Sequence, residues 1–403
     1  MTAETETSTA AAAAGTRPPA VLQVVPRLVT GGVERGTVEV AAALVAAGWK
    51  SVVASAGGPM VREIERAGAR HVELPLASKN PITMRRNVER LAQLVRHERI
   101  DIIHARSRAP AWSALAASRR VGCHFVTTFH NAYGDDGWFK RRYNSVMGEG
   151  ERVIAISRFV AEHAQQVYGV PPERLRIIER GVDFGRFDPE RVSAERVIHL
   201  AREWQLPDGV QLVMLPGRLT RWKGQLVLVE AVEKLARRDL RCVLVGAGEG
   251  HYRQQLLDTI KRKDLGGLFQ VIEDCRDIPA AYMLADVVVS ASTRPEGFGR
   301  VIAEALAMGR PVVATDHGGA REIVLDGETG WLVPPDDPEA MSAAIAHALA
   351  LTPADRMALA GRAMAHMREH FSTQLMTDRT LAVYEEILFP AVAEADPSGP
   401  VAA

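Results

Sequence analysis

Two glutamates eight positions apart, Glu296 and Glu304, stand in a stretch of small residues interrupted by Gly297-Phe298-Gly299. A strand-like run ends near Ser290, a loop follows, and a helical pattern begins near Gly299. Glu296 therefore falls in a loop above a strand end, and Glu304 in the helix that follows. Carboxylates placed there suit a hydroxyl-rich ligand, because their oxygens accept hydrogen bonds from sugar hydroxyls. Beside a phosphate they are unfavourable unless cations neutralise it. Arg218 and Lys223, in Gly217-Arg218-Leu219-Thr220-Arg221-Trp222-Lys223-Gly224 directly after another strand-like run, have the chemistry to do that. Arg grips phosphate oxygens bidentately and Lys supplies a point charge. Arg221 shares the loop, so roles among the three cations stay open, as does the reading of all three as ordinary exposed loop cations.

Gly31-Gly32 lies where a helical pattern begins after the first strand-like run. Glycines there let backbone N–H groups approach a phosphate, and the helix dipole favours negative charge; a tight turn is the competing reading. Gly246-Ala247-Gly248-Glu249-Gly250 resembles half of a dinucleotide fingerprint, but its third glycine comes early and no acidic residue follows at the ribose spacing. No D-x-D triplet occurs, and His, Cys and Asp do not cluster at metal-ligand spacings, so no metal is expected.

The elements that must position these residues repeat a simple beat. Apolar, β-branched runs at residues 21–25, 51–55, 71–74, 101–104, 125–128, 153–156 and 176–178 alternate with helix-length segments. The pattern restarts at 211–215 and continues through 241–245, 269–272, 287–290, 311–314 and 331–333. Both series predict parallel α/β sheets. Residues 181–209, charged and without a strand-like run, read as the connection. Two helices are expected at the end, residues 356–371 and 374–388, with Ser372 as N-cap of the second and an apolar face of Leu375, Leu381, Tyr384 and Leu388. The expected domains are residues 19–185 together with a returning helix at 372–390, and residues 186–371. Open parallel sheets bind ligands at the carboxyl ends of their strands, so the chemistry belongs in a cleft between the two.

A chain of 403 residues with 47% hydrophobic and 24% charged residues has globular composition and exceeds what one core usually supports. Residues 1–18 lack the basic start and apolar stretch of a secretory signal and read as a disordered tail, with the cytoplasm as the expected compartment. No apolar run approaches the ~20 residues that span a bilayer. Cys123, Cys242 and Cys275 read as buried reduced thiols. Net charge is zero, yet residues 1–188 carry +7 and the remainder −7. Either the first half meets something anionic or its arginine-rich surface is simply solvated. Lys140-Arg141-Arg142 beside Trp138 and Phe139 fits a membrane-surface or lipid-phosphate contact. Arg85, Arg86, Arg90, Arg96 and Arg99 have no interleaved aromatics, which argues against nucleic acid.

Together, the E-x7-E pair Glu296 and Glu304, Gly31-Gly32, Gly217-Arg218, Lys223-Gly224 and Gly297-Phe298-Gly299 resemble family 4 of the retaining glycosyltransferases, over about residues 21–388. The resemblance implies the GT-B fold: α/β, with two Rossmann-like parallel-sheet domains facing a cleft. It implies hexosyl transfer from a UDP- or GDP-linked sugar to a lipopolysaccharide, polysaccharide or glycolipid acceptor, with retention at the anomeric carbon and no cofactor beyond the nucleotide-sugar co-substrate. By the same resemblance Arg218 and Lys223 bind the diphosphate beside Gly217, and Glu304 the ribose. Glu296 and the Gly297, Phe298 and Gly299 backbone would take the transferred sugar. Gly32, next to Gly31, would donate N–H groups to the distal phosphate. The family places a histidine after a first-domain strand, facing the donor sugar, and His130 in Thr127-Thr128-Phe129-His130-Asn131 fits. Members often carry Asn where this chain has Arg180, ahead of Gly181-Val182-Asp183. The competing readings are a nucleotide-sugar epimerase, for which no extra acid–base cluster is seen, and a phosphorylase, for which no lysine anchor is evident. A catalytically silent nucleotide-sugar-binding protein is the third, opposed by the intact Glu296, Glu304, Arg218 and Lys223.

Overall fold

The computed structural model describes residues 17–29, 31–134, 137–248 and 250–390; the expected tail falls mostly outside them. Seven strands form the first sheet: β1 (Ala20–Val24), β2 (Lys50–Ser55), β3 (Arg70–Glu73), β4 (Ile102–Ala105), β5 (His124–Phe129), β6 (Arg152–Ala155) and β7 (Leu175–Ile177). Six form the second: β8 (Gln211–Pro216), β9 (Leu240–Val245), β10 (Phe269–Ile272), β11 (Val287–Ser290), β12 (Val312–Thr315) and β13 (Trp331–Val333). Their orders are β3-β2-β1-β4-β5-β6-β7 and β10-β9-β8-β11-β12-β13. Neighbouring strands run parallel throughout, as in Val24 beside both Ala54 and Ala105. Helices cover both faces, so the central strands are buried along their whole length, and this is why they read as continuous apolar runs.

Strand order reverses between β1 and β4 in the first domain and between β8 and β11 in the second. At such switch points the loops leave in opposite directions and open a crevice. Gly31-Gly32 follows β1, Arg218 and Lys223 follow β8, and Glu296 follows β11, so the sequence motifs collect at the two crevices. His130 follows β5, one strand further on.

Residues 181–209 are more ordered than a plain connection. They contain the helix Ala194–Glu203, whose N-cap Ser193 accepts from the Arg196 N–H at 3.4 Å. Leu200 and Trp204 are buried there, and Arg196 pairs bidentately with Asp277 at 2.8 and 2.6 Å. With only a few apolar residues among many charges, this helix is faint in composition.

The C-terminal helix, Thr373–Leu388, starts at the expected cap: Ser372 Oγ accepts from Leu375 N at 3.0 Å. It lies on the first domain, where Met376, Val383 and Tyr384 join Val21, Val40, Leu44, Ile102 and Val126 in one apolar cluster. The buried face includes the expected Tyr384, with Leu381 and Leu388 packed against the same cluster, but it is centred to one side of the expected stripe. Met376, Thr377, Thr380, Val383 and Tyr384 are buried, whereas Leu375, Leu381 and Leu388 are only partly covered. Tyr384 Oη meets His104 Nδ1 at 2.6 Å, and Glu386 pairs with Arg152 and Arg176. The two stretches linking the domains touch where Val182 N donates to Phe371 O at 2.8 Å and Thr373 N to Val182 O at 3.1 Å. Of the three thiols only Cys242 is fully buried; Cys123 and Cys275 are half-buried, and burial pushes each of those two up to about 11.

Candidate active site

The second-domain side of the cleft is a connected polar network. Gly224 ends the turn after β8 so close to β11 that an added Cβ would lie 1.7 Å from Ala291 O. That approach carries Lys223 to the β11 loop, where its Nζ pairs with Glu296 Oε1 at 2.7 Å and sits 4.5 Å from the Trp222 ring centroid. Ser292 Oγ donates to the same carboxylate oxygen, and the Ser292 carbonyl is held by Thr315 Oγ1 at 2.8 Å and His317 Nε2 at 2.7 Å. The three cations of the turn separate clearly. Arg221 donates to Gln255 at 3.0 Å on a neighbouring helix, Lys223 pairs with Glu296, and the exposed Arg218 guanidinium has no partner among the described residues.

Gly297, Phe298 and Gly299 are all buried. The Phe298 ring packs against Phe371, centroids 5.9 Å apart, so its side chain is core and only its backbone is available to a ligand. Gly299 caps the helix Arg300–Ala307, on which Glu304 sits one turn in. Both oxygens of Glu304 are engaged: Arg300 Nη2 donates to one at 2.8 Å and Tyr282 Oη to the other at 3.0 Å. Burial, and then the charge of Glu304, holds the Tyr282 phenol well above its ordinary pKa, so it is a neutral donor at any working pH. Arg300 is passed over by sequence reasoning, although its i,i+4 spacing to Glu304 is the signal that could have found it. Tyr282 carries no such signal, because it arrives from the helix Ile278–Leu284 before β11.

The first-domain side is built differently. His130 leaves β5 with its Nε2 buried and unpartnered. Burial foremost, and then the charges of Arg106, Arg180 and His104, push its pKa well below the usual value, so the imidazole is neutral at pH 7. The His130 main chain meets the other domain: a Cβ added at Gly297 would lie 2.9 Å from its carbonyl oxygen. Gly31 caps the helix Gly32–Ala46, and a Cβ added at Gly32 would be 3.3 Å from Arg300 Cδ. The cleft thus brings Gly31, Gly32 and His130 opposite Glu296, Gly297 and Arg300. A further tie crosses it. Glu322, from the second domain, accepts the N–H groups of Arg158 and Phe159 at 2.8 and 2.9 Å, capping the first-domain helix Arg158–Tyr168.

Comparison with known proteins follows this division. Residues 30–186 match the model of Glycosyltransferase Family 4, and residues 199–364 that of Glycosyl transferases group 1. A D-inositol 3-phosphate glycosyltransferase of Salinispora tropica is 30% identical, over 93% of this chain and 80% of its own. A crystal structure of a glycosyltransferase from Rickettsia africae ESF-5 superposes with a TM-score of 0.85 at 36% identity, covering 93% of this chain and all of that one. Anabaena HepE in complex with UDP-glucose superposes at 0.80 with 23% identity, over 91% and 99% of the two chains, a likeness of fold.

Proposed function

The chain belongs to group 1 of the glycosyl transferases, family 4, and is a glycosyltransferase of the GT-B fold; from that premise we propose that it moves a hexose-type sugar from a UDP- or GDP-linked donor to a lipopolysaccharide, polysaccharide or glycolipid acceptor, with retention. The observation that carries this reading is the pairing of Lys223 with Glu296 beside the unpartnered Arg218. One cation is held in the turn after β8, a second in the same turn is free to grip a phosphate, and the carboxylate paired with the first can accept from sugar hydroxyls. The UDP-glucose held by HepE, on the same fold, supports a nucleotide-sugar donor.

In this mechanism Glu304, fixed by Tyr282 and Arg300, accepts from the ribose, and the Gly297–Gly299 backbone from above β11 positions the sugar with Glu296. The bond from the anomeric carbon to the diphosphate oxygen breaks, and its electron pair leaves with the phosphate. Arg218, Lys223 and the N–H groups at Gly32 stabilise that charge without a metal. The acceptor oxygen bonds to the anomeric carbon on the face the phosphate leaves, and its proton passes to the departing phosphate. Neutral His130 offers the donor sugar a hydrogen bond rather than a charge.

Trp138 and Phe139 are 70% and 83% exposed at the start of the short helix Trp138–Asn144, with Arg141 and Arg142 beside them, and would rest at the membrane surface that presents a lipid-linked acceptor. No helix among the described residues is long and apolar enough to cross a membrane.

Transfer assays with UDP- and GDP-hexoses, with the product's anomeric configuration read by NMR, test the reading. An α-linked product from an α-linked donor is expected, and inversion would overturn the mechanism. The rate in EDTA should equal that in buffer; loss of activity restored by Mg²⁺ or Mn²⁺ would show that the side chains alone do not stabilise the leaving group.

A further inference from the structure

Arg180 follows β7, where the chain passes beside the start of the first helix. It is 6% exposed, yet its guanidinium makes no hydrogen bond or ion pair among the described residues. The group lies along the first turn of the helix Gly32–Ala46. A Cβ added at Gly36 would be 2.0 Å from its Nη1, and one added at Gly32 would be 3.7 Å from its Nη2. Gly36 is therefore open space that the guanidinium fills.

Its surroundings are cationic. Arg106, 3% exposed, spends one donor on Gln23 at 3.2 Å and leaves Nε buried without a partner. Arg300 reaches in from the other domain at Gly32. The facing acids are Glu39, on the same helix, and Glu34, whose carboxylate folds over Gly31. The start of a helix is itself the positive end of its dipole, so a buried guanidinium placed there is unfavourable unless an anion shares the site.

We infer that Arg180, with Arg300 opposite and the N–H groups at the start of the first helix, binds a phosphoryl group on the first-domain side of the cleft, and so selects which substrates the enzyme accepts. The inference rests on the glycosyl-transfer reading above. The phosphoryl group has two sources, the distal phosphate of the donor or a phosphate carried by the acceptor. Arg180 would fix either one by charge-assisted hydrogen bonds.

The test uses the full chain in phosphate-free buffer. Wild type, Arg180→Gln and Gly36→Ala are titrated calorimetrically with UMP, UDP, GMP, GDP and inorganic phosphate, the last also in the presence of saturating diphosphate. Gly36→Ala keeps the arginine but displaces its guanidinium, so it carries the test if Arg180→Gln fails to fold. If the donor is the source, affinity for the diphosphate falls roughly tenfold to a hundredfold in both variants while that for the monophosphate holds. If the acceptor is the source, nucleotide affinities hold and the binding of inorganic phosphate beside the diphosphate is lost. Equal affinities for every probe in wild type and variants would overturn the proposal. If wild type bound no nucleotide, the glycosyl-transfer reading would fail by itself, and inorganic phosphate alone would decide on Arg180: binding lost in the variants supports it, and binding retained overturns it.

Discussion

The two walls of the cleft treat charge in opposite ways. On the second-domain wall every working group but Arg218 is paired before any ligand arrives: Lys223 with Glu296, Glu304 with Arg300 and Tyr282. On the first-domain wall they are not. His130 Nε2 and Arg106 Nε are buried without partners, and Arg180 is buried without an ion pair among the described residues. A satisfied network is rigid and preorganised, which suits recognition of a constant part such as a nucleotide. A wall with donors to spare gains most from a ligand that supplies acceptors, which suits the substrate group that varies.

The largest effect that would break this contrast is at Lys223. Lys223→Ala removes a cation from the leaving group and frees Glu296, so kcat should drop about 10²–10³-fold, with a melting temperature close to wild type. A kcat within threefold of wild type would mean that the paired wall is structural. Next comes Glu304→Ala, expected to weaken donor binding by roughly 1.5–3 kcal/mol in calorimetry, with Tyr282→Phe costing about 1 kcal/mol because the carboxylate loses one of its two orienting donors and keeps its charge and Arg300. If the two variants were equal, orientation by Tyr282 rather than the carboxylate would hold the ribose.

The third prediction sharpens the first-domain side through pH. Burial foremost, and then neighbouring arginine charge, holds His104 and His130 well below their ordinary pKa. In the unfolded chain they titrate near ~6.5, so the unfolded state takes up protons that the folded state refuses as pH falls below that value. Stability is thus fully present above about pH 7 and lost progressively below ~6.5. Half-buried His71 and His366 contribute with the same sign. Urea midpoints at pH 7.5 and 5.5 should differ in wild type, and the gap should narrow in a His104→Gln/His130→Gln variant to what His71 and His366 leave; an unchanged gap would remove those two imidazoles as the cause. The smallest effect is expected at the tie between the walls. Glu322→Ala should cost no more than about 1 kcal/mol of stability while raising hydrogen exchange at Arg158 and Phe159, since two N–H groups lose their acceptor while the Ser157 cap and the core are untouched. Unaltered exchange there would mean that the carboxylate does not hold the domains together.

The sequence alone determined the thirteen strands of the described residues to within a residue or two; the central ones stand out because parallel strands covered on both faces are apolar along their whole length, and edge strands such as Arg70–Glu73 by their place in the alternating beat. It also located Gly31-Gly32, Arg218, Lys223, Glu296 and Glu304, since strand ends and helix starts have local signatures and the E-x7-E spacing is itself local. Tertiary structure decided the rest. It separated Arg218 and Lys223 from Arg221 through Gln255 and Glu296, partners 34 and 73 positions away. It shifted the buried face of the C-terminal helix from the leucines towards Met376, Thr380 and Val383 while keeping the expected Tyr384, because threonines allow close approach that a count of leucines does not register. Tyr282 was assigned to Glu304, and Arg180 to the space left by Gly36, by contacts between residues distant in the chain. No periodicity encodes such meetings: a buried polar group finds its partner, or goes without one, only once the sheets and helices have packed.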